Sequence, residues 1–351
     1  MRLSWVLPII VLLLATGQNS FARDLIVLVD GKQLDVVITA ETVDGIEYKD
    51  AATGASLKKN SDEVAWVTYE DAPNDYKSGI EALQIKKYPE AADFFLKAQK
   101  KFIDGKSKND WHKDYLEFYL AYALLMSKES NMQYVKLAYT KFENFNKTRP
   151  NSRFAIPCLY YMAECQLVQK DFVSAKTSYE AVIKLNRPFW TSKSKAGLAR
   201  VCYADKKYDE ALKICVAELQ AGSLSPEMVS AIADILLDKQ QDYEMAYNLA
   251  SKLVSKGDDE FKTVVYELKG CAGYRLKKHE EAFEDLLRSS ILYAKDGTES
   301  SRVNLYLFAT LKTLMAANAA NYPDWQYKNK MAEFYRKLTV ADQNILKTFP
   351  L

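Results

Sequence analysis

Apolar side chains recur at helical spacing along most of this chain. Within Ala155–Pro188, Phe172, Ala175, Tyr179 and Val182 fall at i, i+3, i+7 and i+10, so they share one face of a helix. A turn at Gln169-Lys170-Asp171 separates that helix from an equally amphipathic one before it. The stretch predicts two helices folded back on each other, and the same pattern returns elsewhere. Turns between paired helices can be anchored on Tyr88, Phe172, Tyr208, Tyr243 and His279, and the last four are spaced 36, 35 and 36 residues apart (172 to 208, 208 to 243, 243 to 279). A fixed period in the mid-thirties is the mark of a stacked helix–turn–helix repeat.

Small residues keep the same register. Three positions after each anchor stand Ala91, Ala175, Ala211, Ala246 and Ala282, and nine before it stand Gly79, Ala163, Ala199, Asp234 and Gly270. Seven after it come Phe95, Tyr179, Cys215, Ala250 and Leu286. Small side chains facing each other let two helices approach closely, and Asp234 is the one departure. A longer pair is expected over 111–128 and 131–148, and a final pair over 299–318 and 325–338, without the small-residue pattern.

The segment before the helices has a different period. Leu25–Val29 is rich in β-formers and ends at Asp30-Gly31, a hairpin signal. Leu34–Thr39, a turn at Asp44-Gly45, the alternating Ile46–Lys49, a turn at Thr53-Gly54 and Glu63–Tyr69 follow. About five short strands in so few residues would leave exposed edges unless the sheet curled on itself, which predicts a small antiparallel barrel. Pro73 then breaks the pattern before the first helix.

These residues carry two resemblances. The unit Gly79–Ala98, with Gly79, Tyr88, Ala91, Phe95 and Ala98 in order, and its copies through 290 resemble the tetratricopeptide repeat (TPR) family. The opening hairpin and the closing Val64–Tyr69 strand of 24–70 resemble Sm-like or SH3-like small barrels. The expected fold is therefore mostly α: a TPR-like α-solenoid, a right-handed superhelix of helix pairs over 75–351, preceded by the β-barrel module over 24–70. The family's groove positions, carried over one by one, put Tyr160, Glu164, Arg200, Tyr203, Glu267, Tyr274 and Arg275 on an inner, peptide-binding surface. The family's Lys/Asn clamp for a terminal carboxylate is not reproduced. In the family's packing, Cys202 and Cys215 face each other across one helix pair, which implies a disulfide in an oxidising compartment.

Composition narrows the function. Lys and Arg number 48 against 46 Asp and Glu, so no broad basic footprint points to nucleic acid, and membrane contact is expected only indirectly. The first residues join Arg2 to the apolar run Trp5–Leu14 and end Ser20-Phe21-Ala22. That run is too short to span a bilayer and matches a secretory signal over 1–22 cut after Ala22; an uncleaved anchor is the alternative. Five cysteines are too few for a disulfide framework, and two histidines at unrelated positions, His112 and His279, supply no metal spacing. No phosphate-binding glycine loop or nucleophile motif occurs, and acidic pairs such as Asp209-Glu210 sit where helix dipoles favour them. The reading is an exported, periplasmic or secreted, non-enzymatic scaffold without cofactors, holding a protein or peptide partner in the envelope. The alternative is an accessory subunit that binds cell-wall or polysaccharide material through the β module.

Overall fold

The structure is a computed structural model and describes residues 23–103, 111–128, 131–295 and 300–347. The expected signal segment, 1–22, lies outside the described residues. The chain divides into two compact units, Met1–Val201 and Cys202–Leu351.

The first unit opens with five antiparallel strands, β1 (Asp24–Leu28), β2 (Gln33–Thr42), β3 (Gly45–Asp50), β4 (Ser56–Asn60) and β5 (Val64–Thr68). Their order in the sheet is β4-β3-β2-β1-β5. Gly31 and Gly54 turn the chain with φ of 85° and 71°. At Gly45 the backbone passes so close to β4 that a Cβ would lie 2.2 Å from the Lys59 carbonyl oxygen. The expected barrel does not close: among the described residues β4 and β5 are the two ends of an open sheet. The β5 end is finished by helix side chains. Tyr76 Oη donates to the Val67 carbonyl at 3.0 Å, and Arg153 Nη2 donates to the Val64 carbonyl at 3.1 Å. With these two carbonyls already accepting bonds and its inner face packed, the strand has less to gain from a strand partner.

Helices follow as antiparallel pairs: α1 (Asn74–Gln84) with α2 (Tyr88–Ile103), α3 (Trp111–Met126) with α4 (Met132–Thr148), and α5 (Ala155–Val168) with α6 (Phe172–Lys184). Next comes α7 (Pro188–Ala204), whose last three residues belong to the second unit. The second unit continues with α8 (Tyr208–Gln220), α9 (Pro226–Ala233), α10 (Tyr243–Leu253), α11 (Asp259–Arg275), α12 (His279–Lys295), α13 (Ser301–Ala317), α14 (Asp324–Arg336) and α15 (Val340–Leu346). The chain is thus mostly α, in stacked helix pairs behind a small antiparallel sheet.

Each of the five anchors is the first residue of a second helix, half-buried against its turn. Two residues earlier, Lys86, Lys170, Lys206, Gln241 and Lys277 all adopt left-handed backbone, with φ between 56° and 63°. At four of these turns the next amide reaches back five residues: Lys87 to Ala82, Asp171 to Gln166, Lys207 to Cys202 and Lys278 to Gly273, at 2.8–2.9 Å. This Schellman closure satisfies carbonyls that the helix end would orphan. The small-residue register is the packing seam. Ala91, Ala163, Ala175, Ala199, Ala211 and Ala246 are wholly buried, Ala282 nearly so. A Cβ on Gly79 would meet the Phe95 ring at 2.6 Å, and one on Gly270 would meet Leu286 Cγ at 2.7 Å.

The departure at Asp234 has a local cause. After α9 the backbone widens into a π-helical turn, Asp234–Lys239, which holds one residue more than an α-turn. That extra residue moves the inward small position back to Ala233, which is buried, and leaves Asp234 half-exposed.

Candidate interaction surface

Two sets of side chains on the first helices of the pairs are candidates for recognition. In the first unit they converge on Glu164 of α5, which is 0% exposed. Its Oε1 accepts from Tyr179 Oη at 2.6 Å, and Arg200 of α7 donates to Oε2 through Nη1 at 3.0 Å and to Oε1 through Nη2. Burial pushes the Glu164 carboxyl up, but the Arg200 charge and hydrogen bonds from Arg200, Tyr179 and Tyr160 outweigh it and hold the carboxyl below the usual range. Tyr160, 6% exposed, packs at 5.8 Å from Tyr179 and 5.4 Å from Trp190. The cleft beside it, between α3 and α5, has about 10 Å³ of free space, room for about one water.

In the second unit the centre is Arg302 of α13. It ion-pairs with Asp234 at 2.5 Å and Asp238 at 2.9 Å on the π turn, and with Glu267 of α11 at 3.4 Å. Glu267 also accepts from Tyr293 Oη at 2.7 Å. The guanidinium stands where three carboxylates would otherwise repel, and among the described residues no cluster has a metal-binding arrangement. About two turns further along α11, Arg275 Nε donates to Tyr306 Oη at 3.2 Å and lies 5.6 Å over the Tyr243 ring. Tyr203 is half-buried, packs at 5.5 Å from Tyr208, and has Lys239 Nζ 6.0 Å above its ring.

Burial divides the seven residues expected in the groove. Tyr160, Glu164, Glu267 and Tyr274 are 7% exposed or less, so a partner cannot reach them in this state. Their first helices carry large aromatic side chains, and the polar atoms among them are consumed inside the unit. Tyr274 packs edge-on against His279 at 5.3 Å and Tyr306 at 5.6 Å. Arg200, Tyr203 and Arg275 remain half-buried and reachable. Asp234 and Asp238, with side chains 43% and 46% exposed, and the exposed Lys239 extend the accessible face; sequence reasoning missed all but the anomaly at Asp234.

The implied Cys202–Cys215 disulfide is not formed here: all five cysteines are buried and none is joined to another. Cys215 fills the seam position that Phe95 and Tyr179 fill elsewhere, and the Cys202 thiol donates to Glu210 Oε2 at 3.9 Å. Burial pushes the Cys215 thiol up to about 12, with Cys202 adding to the shift. Such a thiol is a poor nucleophile near neutrality.

A second surface is already occupied. In the first unit the N-terminal ends of α1, α3, α5 and α7 face the β module, and donors there meet its acids. Trp111 Nε1 donates to Asp71 at 2.7 Å, Tyr115 Oη to Glu41 at 2.7 Å and Trp190 Nε1 to Asp62 at 2.9 Å, while Arg187 ion-pairs with Asp44. The Val43 amide bonds the Asn151 carbonyl at 2.8 Å, and Tyr69 stacks on Trp111 at 4.6 Å. Carboxylates opposite helix N-termini also complement the helix dipoles.

No protein-family model matches the sequence, and no curated protein matches it. Among solved structures the chain is similar to the one described as the apo form of RapI, with 13% identity over 75% of this chain and 74% of that one and a TM-score of 0.46.

Proposed function

We propose that this protein is a non-catalytic scaffold whose helix pairs hold a protein or peptide partner. One observation carries the reading: the half-exposed face of mixed charge and aromatic character on the first helices of the second unit. Tyr203, Asp234, Asp238, Lys239, Arg275 and Arg302 present both signs of charge beside tyrosine rings. Tyr and Arg are the residue types that dominate binding energy at protein interfaces. Opposite charges in alternation fit a polypeptide better than a uniformly charged polymer. The seven residues first assigned to the groove contribute Tyr203, Arg275 and, in the first unit, Arg200; the other four support the helices from behind.

The aromatic side chains of the β module, Tyr48, Trp66 and Tyr69, are buried in the core shared with the helices, which leaves none of the three free to stack on a sugar. The protein-partner reading is therefore preferred to polysaccharide binding through the module. Export to the envelope after cleavage at Ala22 belongs to the same proposal; N-terminal sequencing of the native protein should begin at Arg23.

The test is affinity capture from the native envelope fraction, with the wild-type chain and a Tyr203→Ala/Lys239→Glu variant. A partner retained by the first and lost by the second is the expected result. Equal recovery by both would place recognition elsewhere.

A further inference from the structure

We propose that the β module is a strap that couples helix pairs which are not neighbours in the stack. In an ordinary helical repeat array each unit touches only the next, so stability is a sum of local terms and pairs open separately. Here one small sheet and its flanks reach four first helices. Tyr76 of α1 bonds the β5 backbone at 3.0 Å, and Trp111 of α3 bonds Asp71 at 2.7 Å. Arg153, entering α5, bridges Tyr115 Oη at 3.0 Å and the Val64 carbonyl at 3.1 Å. Trp190 of α7 bonds Asp62 at 2.9 Å. The sheet is itself tied by strand hydrogen bonds from β4 to β5, so a displacement of α7 pulls on residues bonded to α3.

The buried groups at this junction are polar and directional. Arg153 is 7% exposed between the sheet and the helices, and the core runs without a break from Ile26 of β1 to Val201 of α7. Losing the module's hold on one helix would leave donors such as the Trp190 indole without acceptors in a partly dry interface, which is costly. The strap therefore makes the first unit open as one body instead of pair by pair.

Hydrogen exchange on the intact chain tests this. In the wild-type protein the slowest amides of α3 and of α7 up to Val201 are expected to share one opening, with protection equal to within about fivefold. The double variant Asp44→Ala/Asp62→Ala cuts two side-chain ties from the module to the start of α7, those of Arg187 and Trp190. It is expected to drop α7 protection more than about fivefold below that of α3, with α11 and α12 unchanged as an internal control. Wild-type α3 and α7 differing by more than that, or staying together in the variant, would overturn the strap. Trp190→Phe, which removes only the indole donor, provides the same reading in a milder form if the double variant does not fold.

Discussion

Two glycines one turn apart on α11 should respond to alanine in opposite directions. Gly→Ala in a helix interior ordinarily stabilises by up to about 1 kcal/mol, because alanine loses less backbone entropy on folding. At Gly273 the new Cβ would meet Ala282 Cβ at 3.4 Å and Tyr247 Cε2 at 3.5 Å, ordinary contacts, so that gain survives. At Gly270 it would meet Leu286 Cγ at 2.7 Å, Cδ2 at 3.0 Å and the Leu286 backbone nitrogen at 3.1 Å. Leu286 is fully buried, so neither its side chain nor the α12 backbone can yield without disturbing the pair. Overpacking of this kind costs about 1–3 kcal/mol. Set against the propensity gain, Gly270→Ala should destabilise by roughly 0.5–2 kcal/mol while Gly273→Ala stabilises by up to about 1 kcal/mol. Urea unfolding followed by far-UV circular dichroism, with comparable m-values, measures both. Stabilisation by Gly270→Ala to the same extent as Gly273→Ala would refute the seam argument. Adding Leu286→Ala to Gly270→Ala should relieve the clash, so the two substitutions together should destabilise less than the sum of their separate effects.

Further outcomes follow from the ion pairs and turns. Glu164→Gln removes the buried partner of Arg200 and should cost about 2–4 kcal/mol in urea unfolding, somewhat under the full buried-pair penalty because Arg200 is 28% exposed. Since the folded state holds the Glu164 carboxyl below its ordinary value, its contribution is complete above the unfolded Glu range and fades as pH falls through the folded value; the wild-type advantage over Glu164→Gln should shrink below about pH 4. Lys206→Gly relieves a left-handed lysine and should raise the urea midpoint, by up to about 1 kcal/mol in stability, whereas Gly→Ala logic applied blindly would forecast a loss. His279, its imidazole pulled down by burial and then by Lys277, favours the neutral ring in the folded state; stability it contributes above the unfolded His range should be lost as pH falls, and His279→Phe should flatten that slope.

Much of the architecture is written locally, and what is local was legible. Helix pairs follow from apolar spacing, and the alanine and glycine register marks their seam because close packing admits nothing larger. The fourth strand, Ser56–Asn60, is almost wholly exposed and so carries no apolar alternation to announce it. Lysine in a left-handed turn was equally silent, since glycine or asparagine is the usual sign of that backbone. Contacts far apart in sequence could not be read at all. Arg187 and Asp44 are separated by 143 residues, and neither residue type at its position singles out the other. Inner-surface positions carried over from a family gave helix face but not depth. Glu164 lies on the assigned face, yet the tyrosines around it and Arg200 bury it completely. Asp234 is the instructive case, because its violation of the small-residue register was visible while its cause, an extra residue wound into the helix, was not.

That widened turn shows how a helix face can be reset inside a repeat. The spacing from Tyr208 to Tyr243 is 35 residues, within one of the 36 on either side, and the turn that follows keeps its left-handed corner at Gln241. Widened turns of this type therefore do not stand out in period counting. They also rotate everything on their N-terminal side by a fraction of a turn, converting a packing position into a solvent-facing one in a single step. A repeat array can thereby acquire a new polar side chain on its surface without substituting any residue there.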